Sequence, residues 1–312
     1  MDVYLLGAGF SSEAGVPTMK NFLGGMQEAA GAAESPQIRG VFSRAAEYAE
    51  QSSTENIEDL LTSTVNDPVF FDLIWAFGLT INHFSEQFLR RCRLGERLGW
   101  YEEFARIAAD SGARILTFNY DLIVEELLWW RRGCAEDYII DFDEVRQRPL
   151  THNSRCVVPL YKMHGSVSWL WCLQCYYTVN RYRHVLAAAY EETSCPRCSS
   201  RLIPLMIPPT FRKAVSLAHS LQNLWQRADM LFAQADRIVI GGLSFNRRDD
   251  DLRQRFQKGL MANSRLQEVV LVNRDEATCR SIAELLPKAV RWRAVSGFAG
   301  FCRELTQYQE RH

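Results

Sequence analysis

Short apolar runs that end abruptly in glycine or polar residues recur along this chain, with segments of helical periodicity between most of them. The first run, residues 3–6, leads directly into a Gly-Ala-Gly sequence, and a later one, residues 237–241, leads into Gly242. A continuous apolar run is typical of a strand buried on both faces, and helices between such strands cover those faces. The pattern predicts an α/β fold with a mostly parallel, Rossmann-like sheet.

Two segments interrupt this alternation. Residues 21–100 show helical patterning with almost no strand signal, and residues 171–202 hold four cysteines with few periodic apolar positions. The predicted organisation is a Rossmann-like domain (1–20, 101–170 and 203–312), a helical insertion (21–100) and a small metal-held module (171–202). The predicted strands are residues 3–6, 114–118, 138–142, 157–162, 237–241, 268–272 and 290–295. Helices are predicted between most of them at residues 122–130, 214–235, 250–262 and 276–286.

Composition excludes several classes of function. The 312 residues are 47% hydrophobic and 23% charged with a formal net charge of -1, so the chain has no long-range attraction to nucleic acid or to an anionic membrane. No window of about 20 apolar residues predicts a membrane span. The first residues predict a strand and not a signal peptide, and we expect a cytoplasmic protein.

Nine cysteines divide into two groups. Four follow the pattern C-x2-C-x19-C-x2-C, which is typical of a zinc site with four thiolate ligands. Such a site has no open position for water, so we expect structural Zn2+ held by Cys172, Cys175, Cys195 and Cys198. The remaining five are irregularly spaced and do not suggest a disulfide framework; we expect small core residues in a reducing compartment. These are Cys92, Cys134, Cys156, Cys279 and Cys302.

The glycine loop after the first strand is suited to phosphate. Gly7 and Gly9 let the backbone approach a ligand closely, and the segment that follows presents helix N–H groups. The fingerprint of dinucleotide-dependent dehydrogenases requires a third glycine three residues after Gly9, where this chain has Ser12. Ordinary hydride transfer is therefore disfavoured. The alternative interpretation is a tight strand-to-helix turn with no ligand.

Three polar side chains follow predicted strands. Asn119 and Asp121 come just after one strand, and His164 comes just after another. Because ligands of open parallel sheets bind at the carboxyl ends of the strands, these side chains should converge on one crevice. Asn119 suits hydrogen bonds to ribose hydroxyls and a water molecule, and His164 suits a general base. The alternative for each residue alone is a cap or a satisfied buried group.

These residues resemble the sirtuin (Sir2) superfamily over most of the chain. Its first NAD motif, Gly-Ala-Gly-x-Ser with Gly-Ile-Pro, is similar to the sequence that begins at Gly7. Thr-Phe-Asn-Tyr-Asp, ending at Asp121, is similar to its Thr-Gln-Asn-Ile-Asp, and His164-Gly165 to its catalytic His-Gly. The resemblance implies NAD binding by Gly7, Ala8, Gly9, Ser11, Gly15, Pro17, Asp121, Gly242, Ser244 and Asn273, and catalysis by Asn119 and His164.

The departures from that family bear on the reaction. Deacylating sirtuins have Asp-Phe-Arg where this chain has Thr18, Met19 and Lys20, so the aromatic residue that shields the reactive ribose carbon is missing, unless Phe22 replaces it. Their strand for the acyl-lysine peptide corresponds to a segment ending in Pro208-Pro209, and prolines cannot donate to an added strand. Both departures are similar to the divergent bacterial Sir2-like branch, which includes NAD-hydrolysing effectors of antiviral defence. Retention of the zinc module favours deacylation, because many of those effectors lack it.

Three functions stay open from the sequence. The first is an NAD hydrolase that yields nicotinamide and ADP-ribose. The second is an NAD-dependent protein deacylase or ADP-ribosyl transferase. The third is a module that binds NAD or ADP-ribose, in which the insertion gates the site or packs against a partner. For the first, we expect activity to be released by homo-oligomer assembly or by an operon-encoded partner, because uncontrolled NAD loss is toxic.

Overall fold

A seven-stranded sheet forms the centre of the computed structural model, which describes residues 1–52, 56–64, 67–140, 142–145, 156–181, 194–207, 219–245 and 250–309. Its strands are β1 (Asp2–Leu6), β2 (Arg114–Thr117), β3 (Cys134–Asp137), β5 (Cys156–Lys162), β9 (Arg237–Gly241), β10 (Glu268–Val272) and β11 (Arg291–Val295). All neighbouring strands are parallel, in the order β11-β10-β9-β1-β2-β5-β3. The predicted α/β class with a parallel sheet is confirmed.

The first strand lies in the interior of this sheet. Val3, Tyr4, Leu5 and Leu6 are fully buried, as a strand covered on both faces requires. From β1 the strand order runs one way through β2, β5 and β3 and the other way through β9, β10 and β11. Such a reversal of direction opens a crevice at the carboxyl ends of the central strands, which is where open α/β sheets bind ligands.

Helices cover the sheet and build the segment between β1 and β2. Helix Val69–Arg93 is its longest member; it buries most of its first half and packs against helices Phe22–Ala32 and Pro36–Ser52. The α-helices are Ala8–Ser12, Phe22–Ala32, Pro36–Ser52, Ile57–Ser63, Val69–Arg93, Trp100–Asp110, Ile123–Leu127, His219–Gln234, Asp250–Ala262, Glu276–Ala283 and Gly297–Gln309. A 3-10 turn, Met19–Asn21, and a π-helical turn, Leu128–Arg132, adjoin two of them.

A second, smaller sheet carries the cysteines. Its strand order is β4-β7-β6-β8, and the β7-β6 and β6-β8 pairs are antiparallel. The strands are β4 (Glu144–Val145), β6 (Gly165–Cys172), β7 (Thr178–Asn180) and β8 (Leu202–Met206). Every residue of β6 and β8 is buried, because helix Val69–Arg93 packs across both strands.

Two sequence predictions were wrong. The strand expected at residues 138–142 lies at Cys134–Asp137, and Ile139 has a left-handed backbone, which ends the extended segment. Two cysteines expected to be unpaired core residues, Cys134 and Cys156, form a disulfide, because β3 and β5 place them directly opposite each other. The other three, Cys92, Cys279 and Cys302, are buried free thiols as expected.

Some predictions lie outside the described residues. The Pro208-Pro209 segment and the start of the helix expected at residues 214–235 belong to this group; that helix is described from His219 to Gln234. None of the helices in the described ranges has the length and apolar character needed to cross a bilayer.

Candidate active site

A cavity of about 1080 Å³ lies at the carboxyl ends of the central strands. It is slightly larger than the range of about 300–1,000 Å³ typical of ligand sites. Loops after β1, β2, β5, β9 and β10 contribute to its wall. The residues predicted from the sequence that line it are Gly7, Ala8, Gly9, Ser11, Pro17, Asn119, Asp121, His164, Gly242, Ser244 and Asn273.

Gly15 is the one predicted NAD-binding residue that does not line the cavity. Its amide donates to the Ser12 carbonyl at 3.1 Å, and its φ of +98° is in the left-handed region. Gly15 therefore ends the turn of helix Ala8–Ser12, which is a common place for glycine. Its role in this structure is to redirect the chain towards Pro17.

The glycine loop and Gly242 are in direct backbone contact. The Gly9 amide donates to the Gly242 carbonyl at 2.9 Å. A Cβ atom on Gly9 would lie 2.7 Å from the Gly242 Cα, and one on Gly242 would lie 2.5 Å from the Phe10 amide nitrogen. Gly242 also has a φ of +64°, which L side chains adopt only with strain. These glycines allow the loops after β1 and β9 to meet at the floor of the cavity.

Asn119 has a fixed orientation. Its Nδ2 group donates to the Gly7 carbonyl at 3.0 Å and to the Ser11 Oγ at 2.8 Å. A carbonyl oxygen can only accept, so the side-chain amide cannot be turned the other way. Both amide hydrogens are used inside the protein, and the Oδ1 atom is the group that remains to accept a hydrogen bond from a ligand. Asn119 lines the cavity, and only 8% of its surface is exposed.

Ser11 connects Asn119 to Asp121. Because the Ser11 hydroxyl accepts from Asn119, its own hydrogen is directed elsewhere, and the hydroxyl lies close enough to the Asp121 carboxylate to lower the pKa of that carboxyl. The Ile123 amide donates to the same carboxylate at 3.1 Å. Burial raises the pKa of Asp121, while the nearby Lys162 charge and these hydrogen bonds oppose the rise. Asp121 and Ser11 thereby keep the Asn119 side chain in its orientation.

His164 lies among aromatic rings. Its ring centroid is 5.2 Å from that of Phe118, 6.0 Å from Tyr120 and 6.3 Å from Trp225. Desolvation in this setting lowers the pKa of His164 to about 4. The imidazole is therefore neutral near pH 7 and able to accept a proton. Its partial exposure is towards the cavity, which it lines.

Backbone hydrogen bonds fix the loop that carries His164 to the loop that carries Asn119. The Met163 amide donates to the Thr117 carbonyl at 2.9 Å, and the Val167 amide donates to the Tyr120 carbonyl at 2.9 Å. Gly165 has a φ of +87°, and a Cβ there would lie 1.9 Å from the Leu205 carbonyl oxygen. The two catalytic candidates are thus held on one rigid scaffold.

The segment between β1 and β2 forms part of the cavity wall. Phe22, Asn56 and Ile81 line it, and Phe22 is fully buried with its ring 4.7 Å from that of Phe77. An aromatic residue is therefore present in the wall, although the position used by deacylating sirtuins holds Met19. Phe22 was the aromatic replacement considered from the sequence, whereas Asn56 and Ile81 were not identified, because Ile81 lies on a helix whose periodicity indicates only core packing and Asn56 directly precedes another helix.

The four cysteines form a compact cluster. Their sulfur atoms all lie within 4.8 Å of one another, and the Cys172–Cys198 and Cys175–Cys195 sulfurs are 3.4 and 3.5 Å apart. Ligands at about 2.3 Å from a tetrahedral zinc ion would be separated by roughly 3.8 Å, so the donor set fits Zn2+. The residue after each C-x2-C pair, Tyr176 or Ser199, has positive φ, and its amide donates to the carbonyl of the first cysteine.

The cluster is remote from His164. The strand β6 separates them, beginning next to His164 and ending at Cys172. At about 3.3 Å per residue its eight residues span roughly 25 Å. With four protein ligands and this separation, a bound zinc ion would hold the small sheet together and would not contact a substrate in the cavity.

Comparison with known proteins assigns the family. The SIR2-like domain model matches residues 113–286, more than half of the chain. The protein belongs to the SIR2-like domain family, which uses NAD.

Similar folds occur among solved structures. Sir2Tm bound to a propionylated peptide is 14% identical, with 99% of this chain and 93% of that chain covered and a TM-score of 0.48. A Sir2 complex with a p53 peptide and NAD+ is 14% identical, with 100% and 94% covered and a TM-score of 0.49. A search of curated proteins found no match.

Proposed function

We propose that this protein is an NAD+ hydrolase that converts NAD+ and water into nicotinamide, ADP-ribose and a proton. The cleft supplies a polar site for the nicotinamide ribose, with the Oδ1 atom of Asn119 and the neutral imidazole of His164 at its wall. Cleavage of the nicotinamide–ribose bond passes through an oxocarbenium-like state that a water molecule attacks. Asn119 would orient the ribose hydroxyls and this water, and His164 would accept its proton.

The observation that favours water over a peptide is the state of the strand after the cysteines. In sirtuin deacylases the corresponding strand pairs with the acyl-lysine peptide. Here β8 is buried along its length, and it contains Pro204, which has no N–H to donate. Ile207 beyond it is also occupied, because its amide donates to the His164 carbonyl at 2.8 Å and its carbonyl accepts from the Tyr120 hydroxyl at 2.9 Å. A peptide that added to this segment would have to displace those bonds.

A role in antiviral defence and release of activity by assembly or a partner belong to the same proposal. They follow from the resemblance to the divergent bacterial branch and from the toxicity of uncontrolled NAD loss. The second candidate, an NAD-dependent deacylase, is favoured by the retained four-cysteine cluster.

Replacement of Asn119 or His164 tests the chemistry. We expect Asn119→Ala and His164→Ala each to reduce nicotinamide release by roughly 100-fold or more, since a positioned general base alone contributes about 10²–10⁴-fold. Both proteins should keep the circular dichroism spectrum of the wild type. Full turnover by both variants would contradict the assignment of these residues.

A further inference from the structure

A buried ion pair lies directly behind the cavity. Lys162, at the end of β5, has a fully buried side chain, and its Nζ atom donates to the Glu125 Oε1 at 2.8 Å and to the Asp121 carbonyl oxygen. Glu125 is 2% exposed, and its Oε1 also accepts from the Tyr138 hydroxyl at 3.3 Å. The pair thus joins β5 and helix Ile123–Leu127 to the loop that carries Asn119 and Asp121.

Stability alone does not explain this pair. Removing a carboxylate and an ammonium from water is costly for each ion, and apolar residues of similar volume often give the same stability or a higher one. The Glu125 Oε2 atom has no hydrogen-bond partner in the part of the chain that the structure describes, so the pair is not fully compensated. A contact with the Asp121 backbone, by contrast, acts on the loop that forms the cavity wall.

The contacts form a continuous chain from Lys162 to the cavity. Lys162 holds the Asp121 carbonyl and places a positive charge near the Asp121 carboxylate. That carboxylate lies near the Ser11 hydroxyl, which lowers its pKa and accepts from the Asn119 amide. An ionised Asp121 keeps the Ser11 hydrogen turned away from Asn119, so that the Ser11 oxygen is free to accept. Protonation of Asp121 would remove this preference.

We propose that Lys162 is a positioning residue for the cleft, which fixes Asn119 through Asp121 and Ser11 by holding the Asp121 carbonyl and placing its positive charge beside this loop. The proposal rests on the proposed cleavage of NAD in this cavity. The titratable groups that act on Asp121 are Lys162 on β5, Glu125 on helix Ile123–Leu127 and Tyr101 on helix Trp100–Asp110. Tyr101 stays neutral, because burial raises its pKa. Lys162 is therefore the cation of this set.

The test compares variants that all carry the substitution Glu125→Gln. Lys162→Met with Glu125→Gln removes both charges and avoids a buried unpaired carboxylate, and Glu125→Gln alone is its matched control. The acid limb of the pH profile for nicotinamide release should lie at least one pH unit higher in the double variant than in the control, because Asp121 loses its counter-ion. Lys162→Gln in place of Lys162→Met separates the charge from the hydrogen bond to the Asp121 carbonyl and should show the same shift.

Asp121→Asn provides the second comparison. In this background, Lys162→Met with Glu125→Gln should not move the acid limb, because the titrating carboxyl is gone. A shift that persists without Asp121, no shift with Asp121 present, or failure of both Lys162 double variants to fold would overturn the proposal. Folding failure would show that the lysine serves stability.

Failure of the proposed function is recognised separately. If the wild type releases no nicotinamide, the hydrolase assignment fails, and the same variants are compared by calorimetric titration with ADP-ribose at several pH values. The Lys162 proposal predicts that ADP-ribose affinity is lost on acidification at a higher pH in the double variant than in Glu125→Gln. Identical pH dependence in the two proteins would overturn it.

Discussion

The cleft and the four-cysteine cluster are assembled in different ways. The cleft draws residues from the ends of five strands, and contacts such as Asn119 to Gly7 join parts of the chain more than 100 residues apart. The four cysteines lie within 27 consecutive positions and close on one another by two local turns. The cleft is held by the core of the sheet, whereas the small sheet would be held in part by a zinc ion at the four cysteines. Damage to one region should therefore change chemistry, and damage to the other should change stability.

Loss of a cysteine ligand should give the largest change in stability. We expect Cys175→Ser to lower the free energy of unfolding by on the order of 3 kcal/mol and to abolish zinc binding, because a three-ligand site no longer closes the small sheet. Below its transition temperature the variant should still release nicotinamide. Urea titration and metal analysis check this, with Cys279→Ala, a buried thiol outside the cluster, as the variant that keeps its metal. Unchanged stability after zinc loss would show that the metal does not support the fold.

Ser11→Ala should give the reverse pattern. The substitution removes the hydroxyl that accepts from the Asn119 amide and lies near the Asp121 carboxylate. A buried polar group left without a hydrogen-bond partner costs about 1–3 kcal/mol. We expect nicotinamide release to fall by roughly tenfold or more, since about 1.4 kcal/mol corresponds to tenfold. The control is Ser12→Ala, whose hydroxyl donates to the Gly9 carbonyl at 3.1 Å and which does not line the cavity. Equal losses in both variants would mean that the helix, and not the Asn119 contact, is responsible.

Gly242→Ala probes the contact between the loops after β1 and β9. A Cβ at this position meets the Phe10 amide nitrogen at 2.5 Å with a left-handed backbone, which costs about 1–2 kcal/mol for the backbone alone. We expect the KM for NAD to rise by roughly tenfold. Gly31→Ala is the matched control, because nothing lies within 4 Å of its Cβ. That helical substitution should stabilise the protein by about 0.5–1 kcal/mol and leave turnover unchanged. A wild-type KM in Gly242→Ala would show that the loops can separate.

A further difference between the two regions is the pH dependence of stability caused by His164. Its pKa is lowered to about 4 in the folded protein, so the unfolded chain, with a pKa near 6.5, takes up the proton first. The contribution of neutral His164 to the free energy of unfolding is complete above pH 6.5 and is lost as the pH falls towards 4. The free energy of unfolding should therefore decrease more for the wild type than for His164→Ala between pH 7 and 4.5. An equal decrease in the wild type and in His164→Ala would contradict the assigned pKa.

The sequence predicted most of the sheet, because interior strands must be apolar throughout. The strands expected at residues 237–241 and 268–272 have those bounds in the structure. The strand at Cys134–Asp137 was missed because, among the residues that the structure describes, it lies at the sheet edge beside β5, and because it contains Glu136 and Asp137. An edge strand needs fewer apolar residues, so its sequence carries a weaker signal.

The site was predicted only in part for a similar reason. Glycine and polar residues directly after strands are visible in the sequence, and most of them line the cavity. Lys162 was missed, since a lysine at the end of an apolar strand is usually solvated, and only the fold shows that it is fully buried beside Glu125. The Cys134–Cys156 disulfide likewise depends on the register of two parallel strands, which the spacing of the cysteines does not reveal.

The molecule that accepts the ADP-ribosyl group, water or an acetyl-lysine peptide, decides whether the protein is an NAD+ hydrolase. The purified protein is incubated with NAD+, with and without a pool of acetyl-lysine peptides, and the products are identified by mass. A hydrolase yields nicotinamide and free ADP-ribose in equal amounts without peptide, which is the result we predict. Nicotinamide release that requires peptide, together with acetyl-ADP-ribose, would contradict it and would show that the buried strand β8 does not prevent a peptide from docking.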